Sequence, residues 1–226
     1  MFLRENSSRA KNAIILIYIV MIVEFFSIIS SSLQYVLLND FLEGFYISDD
    51  ELNLNDQRES FIGYLYLLVY LISIYFFISW FRRAYFNLHI LVNNCAFSEG
   101  WAAGAWFVPI INLGRPMQIM KELYFKSKIL LLENEISIPK KKTFIGIWWT
   151  LWLLSNIISN IAVRIGFRTE SVDDMIAVTL LNLGSSILYI ICGFFAIKLI
   201  KDYNEIETAL QRIKWTKSEN QVSIIG

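Results

Sequence analysis

The sequence predicts an all-α membrane protein: four transmembrane helices, a re-entrant half-helix on the cytoplasmic side, an amphipathic interfacial helix, and both termini in the cytoplasm. Three observations predict it. Hydrophobic residues make up 56% of the 226 residues and charged ones only 18%, a balance that suits a small polytopic membrane protein and not a soluble domain of this length. Four segments reach the roughly 20 apolar residues that a bilayer crossing needs. Lysine and arginine gather in alternate connections, as they do in multi-pass proteins.

The spans are Ala13–Leu38, Phe61–Phe81, Phe144–Val163 and Met175–Ile200. The first is too long for a cleaved signal peptide, holds Glu24 and lacks a small-x-small exit site, so it reads as a retained helix. Seven acids and only Arg58 lie between the first and second spans, whereas nine bases lie between the second and third. With four spans and both termini inside, 17 Lys and Arg fall in the cytoplasm and 3 outside. A fifth crossing through Trp101–Leu113 would leave 7 inside and 13 outside, against the positive-inside rule. Asn6-Ser7-Ser8 matches a glycosylation triplet but sits on the cytoplasmic end, so it reads as chance.

The segment 97–114 therefore enters from the cytoplasmic side and returns to it. As a helix, Trp101–Leu113 would reach only about 20 Å into a core of about 30 Å. Gly100, Ala102, Ala103, Gly104 and Ala105 permit close backbone approach, and Trp101 and Trp106 suit the membrane interface. Pro109 should stop or kink the helix, because it lacks an amide hydrogen and disfavours helix at Val108. Irregular backbone at membrane depth needs its polar groups satisfied. Trp106, Pro109, Asn112, Arg115 and Glu122 are expected to form a structural lock. In it Asn112 serves the backbone freed at Pro109, and Arg115 pairs with Glu122, or these two with Arg82 and Arg83. Pro116 opens the interfacial helix, about 116–133, whose Met120, Leu123, Leu130 and Leu131 face one side. Glu122 and Lys126 form a favourable i,i+4 pair on it. Lys140, Lys141 and Lys142 then meet anionic lipid headgroups.

Here the residues carry a resemblance. Arg83-Ala84-x-x-Asn87 is followed by Ser98-x-x-Trp101-Ala102-x-x-x-Trp106-Phe107-Val108-Pro109-Ile110-x-Asn112-Leu113-x-x-Pro116-x-x-x-Met120-x-Glu122-Leu123. This resembles the core signature of the bacterial domain-of-unknown-function family 4328. The likeness covers about residues 60–200, with the specific motif in about 83–125. It implies a multi-span membrane protein of the bacterial plasma membrane and implies no activity, catalytic residue or cofactor. One departure is Tyr124, where the family commonly has Trp; it keeps an amphipathic aromatic.

Polar residues inside the spans form a second candidate set. Glu24, Ser27, Ser31 and Gln34 share a face of the first span; Asn156 and Asn160 lie one turn apart in the third; Asn182, Ser186, Tyr189 and Gly193 share a face of the fourth. Equal depth suggests Asn156 as a partner for Glu24 and Asn182 for Asn160. The bland reading of such residues is hydrogen-bonded glue between helices. An intramembrane carboxyl is costly, so Glu24 is a functional candidate.

Enzyme signals are missing: there is no catalytic set, no Gly-x-Ser-x-Gly elbow, no phosphate-binding glycine loop and no paired intramembrane aspartates. Cys95, Cys192 and the lone His89 have no metal-ligand spacing and read as packing or capping residues. A net charge of zero supplies no global field for nucleic acid. Two classes stay open. One is a non-catalytic sensor, scaffold or complex subunit that meets a membrane or cytoplasmic partner through its re-entrant element. The other is a small homo-oligomeric channel or transporter lined by the Glu24 face.

Overall fold

The structure, a computed structural model, describes residues 3–136, 143–169 and 171–225, with side chains in the last helix described as far as Gln211. Lys140, Lys141 and Lys142 lie outside the described residues. The described residues form helices and no strand: α1 Ser7–Leu42, α2 Asp49–Leu91, α3 Trp101–Gly104, α4 Arg115–Glu133, α5 Ile145–Gly166 and α6 Val172–Ile225, with a 3-10 turn at Ile111–Leu113. Four of them, α1, α2, α5 and α6, are long and apolar enough to cross a membrane.

The helices outrun the expected spans. α1, α2 and α6 have 36, 43 and 54 residues; at about 1.5 Å per residue each exceeds a hydrocarbon core of about 30 Å. Most of the acidic connection between the first two spans is consequently helical. Gly44 ends α1 at φ 87, a left-handed C-terminal cap, and the Phe45 amide reaches back to the Asp40 carbonyl at 3.0 Å. α2 opens with a capping box: the Ser48 amide donates to Glu51 Oε2 at 2.9 Å, and the Glu51 amide donates to Ser48 Oγ at 3.3 Å. α6 opens in the same spirit, the Asp174 amide donating to Ser171 Oγ at 3.1 Å.

The chain divides into two compact units to which α1, α2 and α6 each contribute. One comprises Ile15–Ser73 and Ile147–Ala196. Its polarity is inverted relative to a soluble domain. Ile22, Phe25, Val36, Phe61, Tyr64, Leu68 and Leu71 are exposed, while Glu24, Ser31, Ser155, Thr179 and Ser186 are buried. That arrangement suits lipid outside and helix-to-helix hydrogen bonding inside, the pattern of a membrane protein. α1 and α6 approach closely at Gly193, where an added Cβ would lie 2.9 Å from the Met21 side chain.

The other unit comprises Met1–Ile14, Ile74–Gly146 and Ile197–Gly226. Its core is apolar in the ordinary way: Trp80, Phe81, Tyr85, Leu88, Ile119, Met120, Leu123, Ile200 and Tyr203 are buried. Two expectations need correcting here. α4 does not leave its apolar stripe for a lipid surface, because Ile119, Met120, Leu123 and Leu131 are buried in this core. Tyr124 fixes that packing by donating from its hydroxyl to the Leu199 carbonyl at 2.6 Å. The half-helix expected over Trp101–Leu113 is only the four-residue α3, followed by turns and the 3-10 turn. Helix is lost after Gly104, ahead of Pro109, at a residue type poorly suited to continue it.

Candidate functional site

The family-like motif converges on Glu122 of α4. Its Oε2 accepts from the Tyr85 hydroxyl at 2.7 Å, and its Oε1 accepts from the Ala96 amide at 2.7 Å. Lys126, one turn on, closes the expected i,i+4 pair at 2.7 Å and also donates to the Asn94 carbonyl. Burial pushes the Glu122 carboxyl up, but the Lys126 ammonium, the Ala96 amide and the Tyr85 hydroxyl outweigh it and hold the group below the usual carboxylate range. Burial, then Glu122, push the neighbouring Cys95 thiol up. Glu122 thus clamps α2, the 94–97 connection and α4 together.

Arg115 is placed elsewhere. Its guanidinium lies over the Phe97 ring at 4.2 Å and the Trp101 ring at 5.5 Å. The expected Arg115–Glu122 pair does not form, because the carboxylate oxygens already serve three closer donors; Arg82 pairs with Glu99 at 3.1 Å instead. Trp106 packs edge-on to Phe77 and Phe81, with centroids 5.5 and 6.1 Å away. Pro116 is the second residue of α4 and is buried. Asn112 does not act as expected: its backbone amide donates to the Val108 carbonyl at 2.9 Å, and its side chain bonds no other described residue. The Pro109 carbonyl is satisfied locally, by the Ile111 amide at 2.7 Å. That closes a three-residue γ-turn with Ile110 at φ 67, ψ −50, a strained conformation for a β-branched side chain.

Asn87 belongs to a buried polar triad that the sequence reading missed. Its Oδ1 accepts from the Arg4 amide at 3.0 Å, and its Nδ2 donates to the Arg4 carbonyl at 2.7 Å and to Glu207 Oε1 at 2.5 Å. Asn6, only 1% exposed, donates to Glu207 Oε2 at 2.9 Å and the Trp80 carbonyl at 3.3 Å. Burial removes Asn6 as a glycosylation acceptor for a physical reason, beyond the topological one. Glu207 was legible in principle: it sits on one helical face with Ile200, Tyr203 and Leu210, all buried.

In the membrane-type unit, Glu24 is 3% exposed, and the Ser186 and Tyr66 hydroxyls lie near its carboxyl. Tyr66 stacks on Tyr70 with centroids 5.4 Å apart, and Tyr189 lies 6.4 and 6.2 Å from the two rings. The Tyr189 hydroxyl lies near Tyr66 and Ser159, and that of Tyr70 near Trp152. All four long helices therefore contribute to one hydroxyl-rich cluster around Glu24. Asn156 is not its partner. The amides of Asn156 and Asn160 instead donate to carbonyls one turn back, Trp152 at 2.7 Å and Asn156 at 2.8 Å. Asn160 and Asn182 are exposed and do not pair with each other. Of the Glu24 stripe, Ser27 bonds its own helix and Gln34 donates to Thr179 at 3.0 Å. Cys192 is buried, its thiol directed at the Trp148 carbonyl at 3.7 Å, in keeping with a packing residue. Among the described residues no cluster of His, Cys, Asp or Glu could hold a metal.

Searches of curated proteins and of solved structures found no match to the chain. A family model described as Domain of unknown function (DUF4328) matches residues 44–205, a stretch that takes in both the Glu122 clamp and most of the Glu24 network. That match spans well over half of the sequence, and the chain therefore belongs to the DUF4328 family.

Proposed function

We propose that this chain is a non-catalytic module of the bacterial plasma membrane, a sensor, scaffold or complex subunit, whose segment 97–114 dips into the cytoplasmic leaflet as its contact element. One observation supports the reading above others. Phe107 is 71% exposed and Ile110 82% exposed, with Val108 and Leu113 exposed beside them. A strained γ-turn at Ile110 holds this apolar tip forward, and Glu122, Arg115 and Trp106 fasten its base. Strain kept at an exposed apolar tip is a mark of a working surface. The interfacial aromatics Trp101 and Trp106 and the bases Arg82 and Arg115 suit a tip that enters lipid from the cytoplasm. A nitroxide at Ile110→Cys, in a background free of Cys95 and Cys192, should be relaxed by lipid-soluble oxygen and shielded from a water-soluble nickel chelate. Free access of the chelate would end the proposal.

The Glu24 network favours a second reading, an oligomeric channel or transporter. A carboxyl with Tyr66, Tyr189 and Ser159 gathered beside it is a set of groups that suits passing a proton. If it conducts, Glu24→Gln should change proton or ion flux in liposomes while the protein stays folded. If it is glue, Glu24→Gln should be nearly silent, because Gln offers a donor and an acceptor of similar shape. Glu24→Leu should then cost about 1–3 kcal/mol by leaving the Tyr66 and Ser186 hydroxyls unpaired.

A further inference from the structure

We propose that Arg4, Arg9, Arg82 and Arg83 form a binding site for a phosphate group, carried by a lipid headgroup or by a free phosphate compound, and that the buried Asn6–Asn87–Glu207 triad assembles it. The site does not depend on where the 107–113 tip resides.

The guanidinium groups share one place. Those of Arg4 and Arg83 lie 4.4 and 5.9 Å from the centroid of the same Phe86 ring. Arg9 Nη1 donates to the Ser79 hydroxyl at 2.5 Å and the Ser79 carbonyl at 3.2 Å. Ser79 lies one turn before Arg82 and Arg83 on α2, so Arg9 joins the same cluster. Arg83 stands in the fields of Arg9, Arg4 and Arg82, with Glu99 acting against them. Like charges at this spacing repel, and Glu99 and Glu207 oppose them only in part, two carboxyls against four guanidinium groups. Glu99 pairs with Arg82 at 3.1 Å, while both Glu207 oxygens are engaged by Asn87 and Asn6. Among the described residues Arg4, Arg9 and Arg83 have no ion-pair partner. The first turn of α1 carries no acid, and its positive dipole end adds to the same field.

The cluster is also built, which a mere topological marker need not be. Satisfying a charge rule requires only a count of bases on one side. Here a buried asparagine grips both backbone groups of Arg4 and so fixes where its side chain emerges. Arg4 and Arg82 are exposed, and Arg9 and Arg83 half-buried, so a ligand can reach them. Guanidinium forks match phosphate oxygens in paired hydrogen bonds, and several held in advance would each gain by binding one. On this reading the Arg83-Ala84-x-x-Asn87 motif is a ligand-binding pair: Arg83 meets the anion, and Asn87 positions Arg4.

The test uses the full chain in nanodiscs of phosphatidylcholine alone or of phosphatidylcholine mixed with phosphatidylglycerol. The thermal midpoint is followed while inorganic phosphate or pyrophosphate replaces chloride at constant ionic strength. A midpoint raised by phosphatidylglycerol alone assigns the site to a headgroup; one raised by soluble phosphate assigns it to a free compound; either supports the site. In the supporting case Arg4→Gln and Arg83→Gln should each weaken the apparent affinity about tenfold or more. Arg4→Lys should fall between, and Arg164→Gln in the other unit should change nothing. No response of the wild-type midpoint in any arm overturns the proposal, even if a variant fails to fold. So does a response retained in full by the Arg4→Gln, Arg83→Gln double variant.

Discussion

Glu122 illustrates how one side chain can organise a connection. Its two oxygens take three donors from three segments, and the net effect is a carboxyl that ionises more readily than usual. A carboxyl whose folded value is depressed contributes stability that is present above its unfolded value, near 4.5. That contribution is lost as pH falls through the lower folded value. Unfolding followed against pH should therefore show an acid-side loss in the wild type that is shallower in Glu122→Gln. The variant should also be less stable at neutral pH, because Lys126 loses its counter-charge. Identical acid profiles for the two proteins would contradict the clamp. Cysteine modification offers a second reading of the same place: with its thiol pushed up by burial and by Glu122, Cys95 should react sluggishly with alkylating reagents at neutral pH. Loss of the clamp in Glu122→Gln should speed that reaction.

Among the elements, α1 and α6 are set by a close approach. A Cβ at Gly193 would force the Met21 side chain aside, and the Ile17 side chain lies 3.3 Å from the same point. Gly193→Leu should cost about 1–3 kcal/mol through overpacking, read as a lower melting midpoint in detergent. A smaller side chain opposite should recover part of it, so Met21→Ala in the Gly193→Leu background is the compensating pair. An unchanged midpoint in Gly193→Leu would mean that the two helices do not meet there. The 107–113 tip poses the opposite case, with backbone strain in open space. Ile110→Gly should raise stability by about 1 kcal/mol or more, since glycine occupies positive φ freely. If the tip is the contact element, the same change should weaken membrane seating, measured by the nitroxide depth of a neighbouring site.

For the whole molecule, the distribution of bases makes the sharpest demand. The proposed orientation, four spans with both termini inside and 17 of 20 Lys and Arg in the cytoplasm, requires that single cysteines between Glu43 and Ser48 react with an impermeant thiol reagent from outside intact cells. Cysteines at Lys121 or Lys141 should react only after permeabilisation. Labelling of Lys141→Cys in intact cells would refute the orientation and, with it, the cytoplasmic placement of the arginine cluster.

Helix existence was legible because a bilayer imposes a length and a composition that any chain crossing it must meet: α1, α2, α5 and α6 each contain a stretch named from apolar length alone. Membership of the family was legible in the string from Arg83 to Leu123, and the Glu122–Lys126 pair in its four-residue spacing. Partners across elements were not legible. Helical spacing places Glu24 on a face but does not say that Tyr66 and Ser186 meet it, nor that Asn156 turns back on its own helix. The Asn6–Asn87–Glu207 triad joins residues up to 201 positions apart, a separation no local pattern can encode. α4 has the amphipathic stripe of a surface helix, and a stripe cannot distinguish lipid from protein as its cover; the buried Ile119, Met120 and Leu123 decide for protein. Sequence thus determines which faces are apolar and where charge accumulates, because those are sums over residues. Tertiary structure alone decides which buried polar groups find one another, because each such match depends on the positions of two or more elements at once.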